Sequence, residues 1–579
     1  MKNNRRNATL RLMKQMFADL KLPLLLVLLM SLCATIALPI TPIDETRYVS
    51  AAWEMWNKHS FLVPYLNGEP YSHKPPLLFW LMHAGWALFG VNDFTPRLIP
   101  GIFSLLSLIL VYRISLRLWP QERKTAVCAA LILASTAIWD AWSVAIMFDM
   151  VLTFWILLGL LGTLRAAEGQ RGGWWMLTAG VAGGLLTKGP AVFVYLLSIP
   201  LFRVWWDLRR DKLGFPKWYW LVLGVVALGL FVGPLLGLYV GTLLWVYWRD
   251  IRRYPKWYLS ILGVAALGFA VALLWALPAA SQGGETYRRA ILVGQTVDRV
   301  TSSFAHRRPF WWYLPIVPLF FFPWILFRPS FAKLQLKMPD TGTRFCMAWM
   351  GLPLLIFSMI SGKQVHYLIP FIPAGVLLIG RNIARAEGLA GKTSVKILGG
   401  LFLLLGLVAL AVPFFDLGGD VGRLEHGDTL FAATGLLVAG LFLLRPFRST
   451  SHAFKRVAIG MTLVLLCALV EAKKSFMDDY DMKETAVFIK GKMDEGLPVA
   501  NIGKYHGQYQ FLGRLNKPIT ALDSGSDAIL DFAASHPGTL FISYQHEGKT
   551  TLPENSKIRF SHEYRGKSVI LWQMGNQIP

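Results

Sequence analysis

The sequence has little charge for its length. Of its 579 residues, 16% are Asp, Glu, Lys or Arg, whereas soluble domains carry about 25% charged residues. Hydrophobic residues make up 54% of the chain, and long uncharged runs recur between Leu22 and Val470. This distribution excludes the three or four soluble domains that the length alone would suggest. It predicts a polytopic membrane protein with a mainly α fold.

Cysteine and negative charge are also scarce. The 4 cysteines all lie inside apolar runs, where they are typical of small core residues, so we infer neither a disulfide nor a thiolate metal site. The net charge is +24, but the basic residues lie in short clusters between apolar runs. The positive-inside rule produces this pattern, and no nucleic-acid partner is expected.

The basic clusters predict the topology. The basic segment Met1–Lys21 precedes the run Leu22–Ile40, which is too long for a signal peptide and has no small-residue cleavage site after it. We therefore expect a retained anchor with a cytoplasmic N-terminus. Alternation of basic and poorly basic connections then gives about 13 spans, or about 15 with an extra hairpin. Both counts are odd and predict a periplasmic C-terminus.

The extra hairpin is predicted from residues 217–248, an apolar stretch between basic clusters that Gly233-Pro234 interrupts. "FPKWYWLVLGVVALGLFV" from Phe215 resembles "YPKWYLSILGVAALGFAV" from Tyr254. The pattern occurs twice, which indicates a local duplication rather than a solenoid.

Two domains are predicted. Residues 1–473 form a membrane domain, with outer loops at 41–97 and 281–311. Residues 474–579 form a small periplasmic α/β domain, in which "LPVANIG", "TLFISY" and "KSVILWQM" are predicted strands. Asp481–Met493 and Ser526–Ala534 are its predicted helices.

The first outer loop carries a charged pocket in this interpretation. Asp44, Glu45 and Arg47 follow an apolar helix, Val49–Trp56 is amphipathic and Pro75–Phe89 is apolar and aromatic. Two helices in the plane of the interface would flank the charges. From spacing alone, a solvated helix-end carboxylate explains Asp44 equally well.

Several segments resemble a known family. Asp44-Glu45-x-Arg47-Tyr48 and the following "LVPYLNGEPYSHKPPLLFW" resemble the first outer loop of the bacterial aminoarabinose transferase and protein O-mannosyltransferase-related family. Its members are glycosyltransferases of the GT-C fold that use polyprenyl-phosphate sugars. Five further segments match in order: "IMFDMVLTFW" around Asp149, "LLTKGP" around Lys188, "AHRRPFWWYLPI" from Ala305, "SGKQVHYLIPFIP" from Ser361 and "YQFLGRLNKPIT" near the C-terminus.

The resemblance implies an inverting glycosyltransferase of the bacterial inner membrane with a periplasmic active site. The expected donor is a sugar on polyprenyl phosphate, and the expected acceptor is a glycolipid of the lipid A type. Asp44 and Asp149 would be catalytic. The donor phosphate would be bound by Lys74, Arg307, Arg308, Lys363 and Tyr367, and the pocket would also contain Glu45, Arg47, Tyr48 and His366. Solvated charges, an ion-paired Asp149 and an interfacial aromatic at position 367 are the alternatives.

A divalent metal is a further expectation from the resemblance. The family associates one with the Glu of "EKPP" and with a His that corresponds to His306. This chain has "HKPP" instead, which places His73 at the Glu position. Since imidazole can replace carboxylate as a zinc ligand, a site on His73 and His306 could persist with changed character.

Two other functions stay open at this point. One is a protein O-glycosyltransferase of the same fold, and the other is a non-catalytic transporter of lipid-linked sugar. Against the transporter, the polar residues gather in outer loops rather than in interrupted helices at mid-membrane. The C-terminal domain could cap the cavity, guide the acceptor or support the fold.

Overall fold

The structure is a computed structural model. It describes residues 2–207, 249–294, 308–331, 339–360, 362–386, 392–415, 429–447, 449–475, 477–546, 552–553 and 555–575. The predicted hairpin at 217–248, including Gly233-Pro234, lies outside the described residues, as do His306 and Arg307. The number of spans therefore stays a prediction.

Most of the described chain is helical. In chain order the α-helices are α1 Lys2–Ala37, α2 Asp44–Asn57, α3 Leu77–Phe89, α4 Phe94–Leu118, α5 Arg123–Leu133, α6 Ala137–Val144, α7 Phe148–Ala167, α8 Gly172–Lys188, α9 Ala191–Leu196, α10 Ser198–Leu201, α11 Arg203–Trp206, α12 Pro255–Gln282, α13 Gly284–Arg289, α14 Thr341–Met359, α15 Ile372–Arg385, α16 Lys392–Ala411, α17 Leu430–Leu444, α18 Thr450–Ser475, α19 Lys483–Asp494 and α20 Ser526–Ser535. A π-turn covers Ala290–Gly294, and 3₁₀ turns cover Phe310–Tyr313, Val317–Phe321, Trp324–Leu326, Arg328–Ser330, Val365–Phe371, Val412–Phe414 and Asp478–Tyr480.

Within the described ranges, 8 helices are long and apolar enough to cross a membrane. The pair α5 and α6 is bent by 61° and gives a ninth span if it crosses as one unit. In the sequence, both helices overlap one apolar run near 124–140. Hydropathy does not register the bend, because both halves are apolar.

Small residues bring the central helices α7 and α8 close together. A Cβ on Gly180 would lie 2.7 Å from the carbonyl oxygen of Trp155, and one on Gly162 would lie 2.6 Å from the carbonyl oxygen of Gly173. Such close contacts are the usual means by which helices associate in a membrane, where apolar burial gives little driving force. The two helix ends that face α2 and α3 are thereby fixed relative to each other.

The two helices predicted in the first outer loop are present, and their position in the plane of the interface stays a prediction. Helix α2 begins at Asp44, earlier than the amphipathic stretch at Val49, and buries Tyr48, Ala52 and Met55. The hairpin of β1 (Tyr65–Leu66) and β2 (Glu69–Pro70) follows, and α3 then returns to the bundle.

The C-terminal domain contains the predicted strands and helices. Its mixed sheet has the order β4-β3-β5-β7-β6, formed by β3 Val499–Ile502, β4 Thr520–Leu522, β5 Leu540–His546, β6 Ser556–Tyr564 and β7 Lys567–Met574. Strand β3 pairs in parallel with β4 and β5, while β7 is antiparallel to β5 and β6. The predicted architecture, a helical membrane bundle with a small C-terminal α/β domain, is confirmed.

This domain is docked on the first outer loop. Trp53 donates its indole N–H to the carbonyl oxygen of Leu515 at 3.0 Å, and Trp86 stacks on Phe511 with ring centroids 5.3 Å apart. Asn67 both donates to and accepts from the backbone of Ile519 at 2.8 Å. The sheet domain and the membrane domain thus share one packed interface.

Asp93 adds an ionic clamp to that interface. Its carboxylate accepts hydrogen bonds from Arg514 at 2.6 Å and Lys483 at 2.9 Å. Burial alone would raise the pKa of Asp93, but the bonds from Lys483 and Arg514 outweigh it and the pKa lies below its ordinary value. The clamp is therefore fully formed at neutral pH and is lost only as the pH falls through this lowered pKa.

We expect Asp93→Asn to weaken the docking by about 1 kcal/mol, the upper range for partly exposed ion pairs. The measurement is the rate of limited trypsin cleavage between the last membrane helix and the sheet domain at pH 7. The control is Asp494→Asn, which removes an exposed pair with Lys490 on α19. Equal cleavage rates for the two variants would contradict the clamp.

Candidate functional site

Asp44 is the first residue of α2 and lies at the surface of the site. Its carboxylate accepts from Arg47 at 2.6 Å and from the Tyr48 hydroxyl at 3.3 Å, and 52% of its side chain is exposed. Burial, followed by the charge of Asp44, raises the pKa of Tyr48, so the phenol stays protonated as a donor. Asp44 is oriented by its own helix and still accessible to a substrate.

Glu45, the next residue, has a different environment. It is buried, and its oxygens accept from the backbone N–H of Thr41 and of Ile146, both at 2.9 Å. Arg97 donates to the same carboxylate at 2.7 and 3.1 Å and also to the carbonyl oxygen of Val144 at 2.8 Å. Glu45 thus fastens the end of α1, the start of α4 and the connection before α7 to each other.

Lys74 lies beside two aromatic rings. Its ammonium is 5.6 Å from the ring centroid of Tyr48 and 5.4 Å from that of Phe148. The two rings themselves meet edge to face at 5.0 Å. Because an aromatic face attracts a cation, the two rings help to position this lysine.

Asp149 and Lys188 form a buried ion pair. The Asp149 carboxylate, with a side chain 2% exposed, lies 2.6 Å from the ammonium of Lys188. Lys188 was not among the predicted site residues, although it stands within the matched segment "LLTKGP". The ammonium also lies 5.3 Å from the ring centroid of Tyr367, which places Tyr367 at this pair.

His366 joins the two groups of charges. Its imidazole lies within electrostatic reach of Lys188, Asp149, Lys74 and Asp44, and its ring is perpendicular to that of Tyr367 at 4.8 Å. Four motifs that are far apart in sequence therefore converge at one place. The convergence contains two carboxylates and two lysines around an imidazole, with Arg47 at its edge.

Lys363 and Arg308 are neighbours at one side of the bundle. Lys363 is 3% exposed and donates to the carbonyl oxygens of Ile360 at 2.5 Å and Arg308 at 3.1 Å. Burial lowers the pKa of this lysine. The side chain of Arg308 is exposed and lies 5.7 Å from the ring centroid of Trp312. Their predicted role at the donor phosphate stays a prediction.

The proposed metal ligands are only partly described. His73 lies beside Tyr71, with ring centroids 5.3 Å apart, while His306 lies outside the described residues, as does Arg307. Within the described ranges, no group of three or more His, Cys, Asp or Glu side chains could hold a metal ion. The metal on His73 and His306 therefore stays a prediction.

Comparison with known proteins points to one family. The family model described as dolichyl-phosphate-mannose-protein mannosyltransferase matches residues 73–236. An undecaprenyl phosphate-alpha-4-amino-4-deoxy-L-arabinose arabinosyl transferase from Pseudomonas fluorescens strain Pf0-1 is 29% identical over 447 residues, which are 74% of this chain and 71% of that protein. The corresponding transferase of Erwinia tasmaniensis is 26% identical over 423 residues, 69% of this chain and 68% of the relative.

The fold agrees. The crystal structure of ArnT from Cupriavidus metallidurans bound to undecaprenyl phosphate superposes with a TM-score of 0.67, covering 97% of this chain and 100% of that one at 18% identity. In sequence and in fold, the chain resembles the aminoarabinose transferase and protein mannosyltransferase-related family. It is a multi-pass membrane glycosyltransferase with a GT-C fold. The non-catalytic transporter is thereby set aside.

In this glycosyltransferase, we expect the buried ion pair of Glu45 and Arg97 to be essential for stability. Glu45→Gln leaves the buried Arg97 without its counter-charge, which typically costs about 3–5 kcal/mol. The measurement is the melting temperature in detergent, with unfolding monitored by tryptophan fluorescence. The matched control is Glu285→Gln, whose partners Arg288 and Arg289 are exposed and whose loss costs about 1 kcal/mol or less. A melting temperature for Glu45→Gln equal to that of the control would contradict this role.

Proposed function

We propose that this glycosyltransferase moves a sugar from an undecaprenyl-phosphate-linked donor to a glycolipid acceptor of the lipid A type. The relatives are named for transfer of 4-amino-4-deoxy-L-arabinose from undecaprenyl phosphate, which supports this donor class. The observation that carries the proposal is the convergence of Asp44, Lys74, Asp149 and Lys188 around His366.

The reaction requires charge stabilisation above all. An acceptor oxygen attacks the anomeric carbon and forms a new C–O bond, while the bond from that carbon to the phosphate oxygen breaks. The electron pair leaves with the polyprenyl phosphate, and the anomeric configuration inverts. Negative charge therefore accumulates on the leaving phosphate, where fixed cations lower the barrier. Lys74 and Lys188 are the described lysines at the convergence that can supply them.

Asp44 has a role that depends on the acceptor. A phosphate oxygen of lipid A is already ionised, so that it needs no general base, and the carboxylate of Asp44 then orients the acceptor or pairs with the ammonium of an amino sugar. A hydroxyl acceptor on a protein would need Asp44 as the base. The match to a family model named for protein mannosyltransferases keeps this second acceptor class as the alternative.

The location follows from the same interpretation. We propose that the chain lies in the bacterial inner membrane with its N-terminus in the cytoplasm and its C-terminal domain in the periplasm. The short basic clusters between the apolar runs support this orientation. Asp44, Lys74 and the sheet domain would then share the periplasmic side, to which a flipped lipid-linked donor is exposed.

Transfer by the reconstituted protein tests the function. With undecaprenyl-phosphate aminoarabinose and lipid A as substrates, mass spectrometry should detect glycosylated lipid A. We expect Asp44→Asn to reduce the rate at least about a hundredfold while the melting temperature is retained, because about half of the Asp44 side chain is exposed.

The matched control for that experiment is Glu69→Gln, an exposed carboxylate in the same outer loop, which should retain full activity. Undiminished turnover by Asp44→Asn would remove Asp44 from the catalytic residues. Transfer to a protein acceptor but not to lipid A would favour the alternative acceptor class.

We also propose a divalent metal on His73 and His306, with no step of the reaction assigned to it. The replacement of carboxylate by imidazole in "HKPP" retains a zinc-binding group. Metal analysis of the purified protein should find about one equivalent, reduced in both His73→Ala and His306→Ala. The control His452→Ala should leave the content unchanged. Equal and negligible metal in all samples would reject the site.

A further inference from the structure

A loop of the C-terminal domain runs along α2 toward Asp44. The backbone N–H of Phe511 donates to the hydroxyl of Ser50 at 3.1 Å, and Gln510 donates to the side chain of Asn67 at 2.8 Å. Arg47 precedes Ser50 by one helical turn, and Asp44 precedes Arg47 by another. The residues just before Gln510 are therefore anchored beside the helix that carries Asp44.

The course of this loop is set by Gly507. Its φ is +74°, in the region that favours glycine, and a Cβ there would lie 2.4 Å from Cδ1 of Leu66. The turn at Gly507 thus packs directly on the hairpin of the first outer loop. His506, the preceding residue, is held at the junction of the two domains.

Hydrogen bonds within the C-terminal domain hold the loop in place. The side-chain oxygen of Gln508 accepts from the backbone N–H of His506 at 3.1 Å, and the amide nitrogen of Gln508 donates to the hydroxyl of Tyr544 at 2.5 Å. Tyr509 and Tyr544 join their hydroxyls at 2.8 Å. The loop is therefore a rigid part of the domain, which preorganises whatever His506 contacts.

Positive charge collects where this loop meets α2. His506 lies within electrostatic reach of Arg47, Lys504 and Asp44. Burial first, and then Arg47 and Lys504, lower the pKa of His506. Among the described residues, Asp44 accepts from one guanidinium nitrogen of Arg47, Nη2, and the Nε of Arg47 has no partner. The charged side chains around His506 are thus one carboxylate and two basic groups.

We propose that Arg47, Lys504 and His506 form a second anion site, which binds a phosphate of the acceptor glycolipid beside Asp44. Lys504 is exposed, so the site is open to water, unlike the buried pair of Asp149 and Lys188. A phosphate bound there would receive charge-assisted hydrogen bonds and would favour the protonated form of His506. The inference rests on the proposed function and gives the C-terminal domain a direct role in acceptor binding.

The experiment separates acceptor binding from donor binding. With lipid A as acceptor and undecaprenyl-phosphate aminoarabinose as donor, we expect Lys504→Ala and His506→Ala each to raise the KM for lipid A about tenfold, as expected for one lost charge-assisted bond. The KM for the donor and kcat at saturating lipid A should stay at their wild-type values. A generally loosened site would change all three.

The matched control is Lys557→Ala, an exposed lysine on β6 at the far edge of the sheet, which should behave as wild type. Binding of lipid A without donor, measured by thermophoresis in detergent, should weaken in parallel with the KM. Two results would overturn the second site and leave the proposed function intact. One is wild-type transfer with an unchanged lipid A KM in both variants. The other is a rise in the KM for the donor in place of a rise in the KM for lipid A. Absence of transfer by the wild-type protein would refute the proposed function and, with it, this site.

Discussion

The carboxylate of Glu45 is the constraint on which the site depends. It holds the end of α1 through Thr41, the start of α4 through Arg97 and the entry to α7 through Ile146. Consecutive helix residues point about 100° apart, so fixing Glu45 inward turns Asp44 toward Arg47 and the surface. A loop that would otherwise be mobile thereby presents one carboxylate at a defined position.

The buried charges lie where a membrane protein tolerates them best. Asp149 is in the first turn of α7 and Lys188 is in the last turn of α8, so each charge complements the dipole of its own helix. Their ion pair offsets much of the penalty for removing both from water. The penalty for charge also falls toward the membrane surface. The helix ends can therefore hold charge without disturbing the apolar bundle between them.

Much of this arrangement was predictable from the sequence, since it rests on periodicity and on matched motifs. The two helices after the first span, the small sheet domain and the candidate residues Asp44, Lys74, Asp149 and Tyr367 were proposed in this way, and the roles of these residues stay predictions. The different environments of Asp44 and Glu45 were not predictable. Arg97, the partner of Glu45, lies 52 residues further along the chain, and no local pattern links the two. Lys188 was missed as a site residue for the same reason, being 39 residues from Asp149.

Asp44 is the group that the two halves of the molecule have in common. It lies within electrostatic reach of His366, with Lys74, Lys188 and Asp149, and of His506, with Arg47 and Lys504. An inverting displacement needs its nucleophile and its leaving group on opposite faces of the anomeric carbon, so an anionic acceptor and a phosphate leaving group cannot share one set of cations. Two sets of basic residues that meet at one carboxylate satisfy this requirement. The membrane domain supplies one set, and the docked C-terminal domain contributes to the other.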